Sequence, residues 1–412
     1  MDKNRASRAR GVSIGAIAAV VLAVLLAGGC GGRRFDSAAI QRARVLPPFP
    51  VVIWGDHAAL AGDPSGAEGF CAAARRVGVT HLAIEARDPA GNWQLDGDGA
   101  PWRRAARDAG LRLAAVLPLF PARADTPTSA TALRGQWGAG GWSAAPLLPG
   151  GAPRPSPAWP GAQQDAIDSL ARVLPDMAIE FVILAGFGFE DAQADIGPAG
   201  RAAFENWMAG AVRDWPGDVL GPAAVTLPYG PDGRGPRWGA WVTWRGATLK
   251  ELLLRMRAAI AADPAPPRLI VLADAPYPTH LRLGLNWALP GAPVAADHPW
   301  LPARYNDYTA AGHLVDAVAL AVWEPQLATA PEAEAAGFAW WASMEGSLAL
   351  ARRVRDEPEG LWVAIPVAEG NGWPRAVRLA TALADGIVLI GAREFQRDDR
   401  NWELLAIALG GG

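Results

Sequence analysis

Short apolar runs recur along the chain, at Val51–Trp54, His81–Glu85, Arg112–Leu117, Glu180–Leu184, Arg268–Ala273, Asp316–Val322, Leu361–Ile365 and Gly386–Ile390. They are mostly apolar at consecutive positions and rich in Val, Ile and Leu, as in parallel strands covered on both faces. Between them the apolar spacing changes to three and four residues, the period of a helix with one buried face. Phe70, Cys71, Ala74 and Val77 share one such face, and Ala166, Ile167, Leu170, Val173 and Leu174 share another. Leu249, Leu252, Leu253, Met256 and Ile260 make the clearest stripe, and further helices fit Pro101–Ala109, Ser343–Arg355, Trp373–Leu383 and Asn401–Leu409. Gly78 and Gly110 stand where helices must stop before the next strand. This alternation predicts an α/β fold over residues 48–412, a (β/α)8 TIM-type barrel with long βα-loop insertions. A doubly wound open sheet is the weaker alternative, because no Gly-rich phosphate loop follows the first strand.

The N-terminus carries an address. Lys3, Arg5, Arg8 and Arg10 precede an apolar run from Val12 to Ala27, then Ala27, Gly28, Gly29 and Cys30. A basic start, a short apolar stretch and small residues before a Cys resemble a bacterial lipobox, in which the Cys is lipidated. Residues 1–30 read as a lipoprotein signal peptide, 31–47 as a tether, and Cys30 as the lipidation site. The expected location is the cell envelope, on the periplasmic or outer face of a bacterial membrane. Cys71 lies on an apolar helix face and reads as packing.

Composition narrows the function. With 51% hydrophobic and 19% charged residues the chain is built to bury a core, and a net charge of -3 argues against a nucleic-acid partner. The 2 Cys and 5 His show no ligand spacing, so neither a metal nor a cofactor is expected. The unusual count is 19 Trp against 4 Tyr. Three long insertions, Phe120 to Trp159, Trp215 to Arg245 and Asn286 to Tyr308, carry many of these aromatics. In a barrel, such loops frame the face where ligands bind.

The order of pieces resembles the glycosyl hydrolase-like family 10 barrels of bacterial lipoproteins. The matching segments are Gly78 to Arg87, Gly110 to Pro118, Asp195 to Glu205, Trp241 to Arg245, Leu283 to Ala288, Ser343 to Gly346 and Asp385 to Leu389. The resemblance implies a barrel acting on polysaccharide or cell-wall glycan. Members of that family tend to read Leu-Asp-Tyr-x-Arg-Tyr after the fourth strand, where this chain has Ala185 in the acidic position and Gly188 in the basic one. After the eighth strand Gly391 stands where an Asp is often found.

Glycoside hydrolysis needs two carboxyl groups about 5–9.5 Å apart, one of them held protonated. Asp274, Glu324, Glu345 and Glu85 lie at or near predicted strand ends and are the catalytic candidates. Glu190 and Asp191 read as loop charges. Indole faces stack on pyranose rings. The substrate-binding candidates are accordingly Trp54, Arg87, Trp93, Trp323, Trp340, Glu369, Asn371 and Trp373. Three readings stay open: a membrane-anchored glycoside hydrolase with a reshuffled acid pair, a barrel that binds glycan or a partner protein without hydrolysis, and a structural lipoprotein whose aromatics are all core.

Overall fold

The computed structural model describes residues 49–61, 66–88, 91–95, 99–123, 125–138, 141–146, 152–173, 178–189, 194–221, 235–273, 283–294, 301–357 and 360–410. The proposed signal peptide, tether and Cys30 lie outside them. All eight predicted strands are present: β1 Val51–Gly55, β2 His81–Glu85, β3 Arg112–Pro118, β6 Ile179–Ala185, β7 Arg268–Ala273, β8 Ala317–Ala321, β9 Leu361–Pro366 and β10 Gly386–Ile390. They pair in parallel and close into a ring, β1-β10-β9-β8-β7-β6-β3-β2. The remaining two strands, β4 Leu133–Gly138 and β5 Gly141–Pro146, form an antiparallel hairpin inside the first long insertion.

Side chains alternate between the two faces of the ring. Val52, Ala83, Ala114, Val116, Phe181, Ile183, Ile270, Leu272, Ala319, Ala364 and Val388 fill the inside. Their outward neighbours, such as Ile53, Ile84, Leu117 and Leu184, pack under the helices. Small residues on β2, β3 and β8 leave room for Phe181 and Trp362, whose rings meet edge to face at 5.1 Å. Gly386 completes this fit, since a Cβ there would lie 2.6 Å from the Trp362 ring.

The N-terminal end of the ring is closed by polar groups. His81 is fully buried against Phe181, with ring centroids 4.5 Å apart. Its Nδ1 meets the Thr80 hydroxyl at 2.7 Å and its Nε2 meets Glu180 at 3.2 Å. Burial pushes the imidazole pKa down to about 4, so the ring is neutral near pH 7. Two acids brace neighbouring strands. Asp316 accepts from the Leu269 amide at 2.7 Å and pairs with Arg257, and Asp385 accepts from the Leu361 amide at 2.9 Å and pairs with Arg352.

The helices follow the predicted faces. Gly66–Arg76 buries Phe70, Cys71 and Ala74, and the chain turns after it through Gly78 at φ 99°. Gly110 does the same after Gly99–Asp108, at φ 75°. Cys71 is a free thiol whose pKa is pushed to about 12 by burial, in keeping with a packing role.

One boundary differs from expectation. The segment expected to end an insertion at Arg245 is helical from Trp238, and a single helix runs Trp238–Ile260. Trp238, Trp241 and Trp244 are buried in it, and Trp241 meets Phe204 and Trp215 edge to face at 5.2 and 5.4 Å. Trp287 and Tyr305, in the third insertion, are buried as well. Much of the loop tryptophan is therefore core that seats the insertions on the barrel. The short helix Tyr305–Thr309 packs against Trp238–Ile260 in the sector between β7 and β8.

The volume argument is testable with one chemical change at two glycines. Gly386→Ala is expected to lower stability by about 1–3 kcal/mol, the cost of overpacking against a fixed ring. Gly69→Ala, on an exposed helix position with open space around it, is expected to raise stability by up to about 1 kcal/mol. Urea unfolding of both variants checks the opposite signs.

Candidate functional site

The C-terminal mouth of the ring is set by the last inward position of each strand. These are Trp54, Glu85, Pro118, Ala185, Leu272, Ala321, Pro366 and Ile390. Glu85 is the one carboxylate among these eight positions, half-buried and in register with Val116 on β3. Trp54 is half-buried and packs onto the apolar plug below it. Among the described residues, these inward strand ends are apolar apart from Glu85, which lies on β2 beside the Trp54 strand β1.

The positions that depart from the resembled family are closed by backbone. Ala185 faces inward and is 8% exposed. A Cβ at Gly188 would lie 2.9 Å from the Leu283 carbonyl oxygen, because Phe189 donates its amide to that same carbonyl at 2.8 Å. Gly391 sits at φ 125°, where a side chain is strained, and a Cβ there would lie 3.1 Å from the Val367 carbonyl oxygen. The larger polar groups expected at 188 and 391 have no unstrained place in this loop geometry.

The other candidates disperse. Glu324 is exposed and accepts from Gln326 at 2.7 Å. Glu345 is exposed in the first turn of Met344–Val354, where the helix dipole favours a carboxylate, and it accepts from the Ala330 amide at 3.1 Å. Glu369 is exposed. Asn371 shapes its own turn, donating to the Pro366 carbonyl at 3.0 Å and accepting from the Trp373 amide at 3.2 Å. Trp373 is 3% exposed and packs edge to face on Phe395, so it belongs to the core and offers no face to a ligand. Asp274, Glu190, Asp191, His280 and His298 lie outside the described residues.

Arg87 is held rather than loose. Its guanidinium grips Asp165 with two bonds, 2.8 and 3.1 Å, tying the loop after β2 to the helix Pro160–Val173. Trp93 pairs with Arg87 through a backbone bridge, and the Arg172 guanidinium lies 4.5 Å from its ring. Two candidate indoles face water, Trp323 at 54% and Trp340 at 41% exposure, both on the segment between β8 and Met344–Val354. Among the described residues, no group of three or more His, Cys, Asp or Glu is arranged to hold a metal ion.

The pattern along the chain did not mark a buried acid. Asp195 is fully buried, with a left-handed backbone at φ 72°. Its Oδ2 accepts from Ser156 at 2.8 Å, while Oδ1 has no hydrogen-bond partner. Burial raises its pKa to about 7, and the Ser156 bond and the buried Arg245 pull the other way. The surrounding segment is tightly knit. Ile196 donates to the Leu133 carbonyl at 3.0 Å and accepts from the Trp215 indole at 2.7 Å, so this corner fastens the hairpin to the second insertion. The only hint in the sequence is an Asp placed just before a Gly-Pro helix start, at Gly197 and Pro198.

No protein-family model and no curated protein matches the sequence. Solved structures match the fold. The glycoside hydrolase domain of PgaB (BpsB) from Bordetella bronchiseptica aligns with a TM-score of 0.54 at 12% identity, over 87% of this chain and 98% of that one. The catalytic domain of β-amylase from Paenibacillus polymyxa aligns with a TM-score of 0.50 at 11% identity, over 83% and 92%. A β-galactosidase from the psychrophilic Marinomonas ef1 gives 0.52 at 10% identity, with 53% of its own length covered. At such identities the likeness is one of fold: this chain has the TIM-barrel architecture of those glycosidase domains.

Asp195 makes stability depend on pH in a known direction. In the unfolded chain an Asp titrates near 3.9, whereas in the folded protein this one titrates at about 7. Its contribution is fully present below about pH 4 and is lost as pH rises through the folded value. Asp195→Asn keeps an acceptor for Ser156 and removes the titration. The variant is expected to gain stability relative to wild type between pH 5 and pH 8. Equal differences in unfolding free energy at the two pH values would overturn this account.

Proposed function

We propose that this chain is a glycan-binding barrel of the cell envelope, held at a membrane through a lipid on Cys30, with its C-terminal face turned to the sugar. The observation that carries the reading is two solvent-facing indoles on one βα segment, Trp323 and Trp340, in a protein that buries Trp102, Trp238, Trp241, Trp244, Trp287, Trp362 and Trp373; Trp207, also exposed, lies apart on the helix Pro198–Met208 and stacks on Phe204. Exposed indole costs free energy in water unless a partner covers it. A pyranose ring does so with its CH face, and neighbouring carboxylates accept its hydroxyls. Glu324 and Glu345 lie on the same βα segment as the two indoles. The fold shared with glycosidase domains and the resemblance to glycosyl hydrolase-like family 10 support a saccharide over other ligands.

Hydrolysis is the second reading, and Glu85 favours it. This carboxylate faces into the mouth, half-buried, and Asp274 follows directly after β7 in sequence. Glycoside hydrolysis uses two carboxyl groups across the scissile bond, and these two stand at the ends of strands that line the mouth. Binding is the better supported of the two, because the inward strand ends around Glu85 are apolar and the backbone at Gly188 and Gly391 excludes larger polar groups.

Titration of intrinsic tryptophan fluorescence against soluble glycan fragments separates the readings. Trp323→Ala and Trp340→Ala are each expected to weaken binding by roughly tenfold, the loss of one stacking platform, without altering thermal stability. Unchanged affinity in both variants would remove the binding proposal. Release of reducing ends by wild type, abolished in Glu85→Gln, would establish hydrolysis instead. Cys30→Ala is expected to move the protein from the membrane fraction to the soluble one, and retention on membranes would refute the lipid anchor.

A further inference from the structure

Beside the mouth, the loop after β3 and the start of Pro160–Val173 enclose a cleft of about 180 Å³. That is below the roughly 300–1,000 Å³ of sites that take drug-sized ligands, so it suits one small ring. Its walls are Phe120, Trp159 and Pro155 on the apolar side and Arg123, Asp125 and Asp165 on the polar side. Trp159 is held in place from below. A Cβ at Gly161 would lie 2.7 Å from its ring, so only glycine lets the indole lie across the first turn of the helix. Its amide donates to Ser156 at 2.9 Å. Phe120 is fixed by Arg154, which donates to its carbonyl at 3.2 Å.

The polar wall is a relay of four charges that cancel. Arg87 holds Asp165 by two bonds, the Arg123 Nη1 stands 3.9 Å from Asp165, and Arg123 holds Asp125 by two bonds of 3.1 Å. Two cations face two anions, so a ligand carrying a net charge would have to break a pair to gain one. Each carboxylate can accept about four hydrogen bonds. Only some of that capacity is spent on arginine, and the remainder is available to hydroxyl donors. An apolar floor of fixed rings, a rim of carboxylate acceptors and guanidinium donors, and no net charge together match a polyhydroxylated ring.

We propose that this cleft is a subsite for one uncharged pyranose ring of the glycan, stacked on Trp159 and hydrogen-bonded by Asp125, Asp165 and Arg123. It deepens the reading of the C-terminal face as a glycan-binding surface and rests on it. Arg87 links the two places, since it lies two residues beyond Glu85, the last residue of β2, and ends on Asp165. A saccharide chain seated at the mouth thereby has a defined exit direction, between the β3 and β6 sectors of the ring.

Isothermal titration of the folded exported chain tests the subsite. The probes are neutral cello-, manno- and N-acetylchito-oligosaccharides, with oligogalacturonate and glucosamine oligomers as anionic and cationic counterparts. At least one neutral series is expected to bind, and the charged series to bind more weakly. Trp159→Ala is expected to lower affinity roughly tenfold. Asp125→Asn, on an exposed side chain that the fold does not need, is expected to lower it several-fold and keeps the test decisive if Trp159→Ala does not fold. Full affinity in Asp125→Asn and in a folded Trp159→Ala, with loss in Trp323→Ala, would overturn the subsite while leaving the glycan-binding face standing. Preference for either charged series would overturn the neutral-ring assignment. Binding of none of the saccharides by wild type would overturn both.

Discussion

Eight parallel strands close into a ring only when the side chains inside add up to the volume the ring encloses. In this protein that sum is met by contrast. Alanines on β2, β3, β8 and β9 stand against Phe181 and Trp362, and Gly386 gives up its side chain so that the indole of Trp362 has a place. His81 takes part in the same fit as a neutral ring, shielded from protonation by burial. Everything on the opposite face inherits its position from this plug. The layer formed by Trp54, Glu85, Ala185 and Ile390 is simply the next one of the same stack.

The insertions obey a related rule. Loops of this length can hold a defined shape only if they carry a core of their own. The aromatic cluster of Phe204, Trp215, Trp241 and Trp244 supplies it for the second insertion, and the buried Asp195 with Ser156 and Arg245 supplies the direction-specific contacts that apolar packing lacks. Oily surfaces fit together in many ways, whereas a buried acid fits in few. The cost of burying that acid is the price of a unique loop arrangement around the mouth.

The barrel was legible in the sequence because both faces of its strands are buried. Runs such as Phe181 to Leu184 or Val363 to Ile365 are apolar at every position, and no other common element produces eight of them between helical stripes. The hairpin was not legible. Leu133 to Gly138 has no period-two pattern, and it pairs in antiparallel register with Gly141 to Pro146, which has none either. The start of Trp238–Ile260 was obscured by the Pro- and Gly-rich stretch before it, although Trp238, Trp241, Arg245, Leu249 and Leu252 already keep helical spacing. Trp373 illustrates the limit for sites. Nothing local distinguishes an indole beyond a strand end that faces solvent from one that Asn371 and Gly372 turn inward onto Phe395. Asp195 is the converse case, an acid whose burial depends on segments far away in the chain.

The glycines at 188 and 391 carry a consequence for redesign. A roomy pocket can take on a carboxylate or guanidinium by one codon change. These two positions are crowded by backbone instead: the Leu283 carbonyl occupies the space beside one, and the other adopts a backbone that L-residues avoid. Placing a charged side chain at both would require two loops to be rebuilt in concert. The chemistry open to this rim is fenced by main chain as firmly as by side chains.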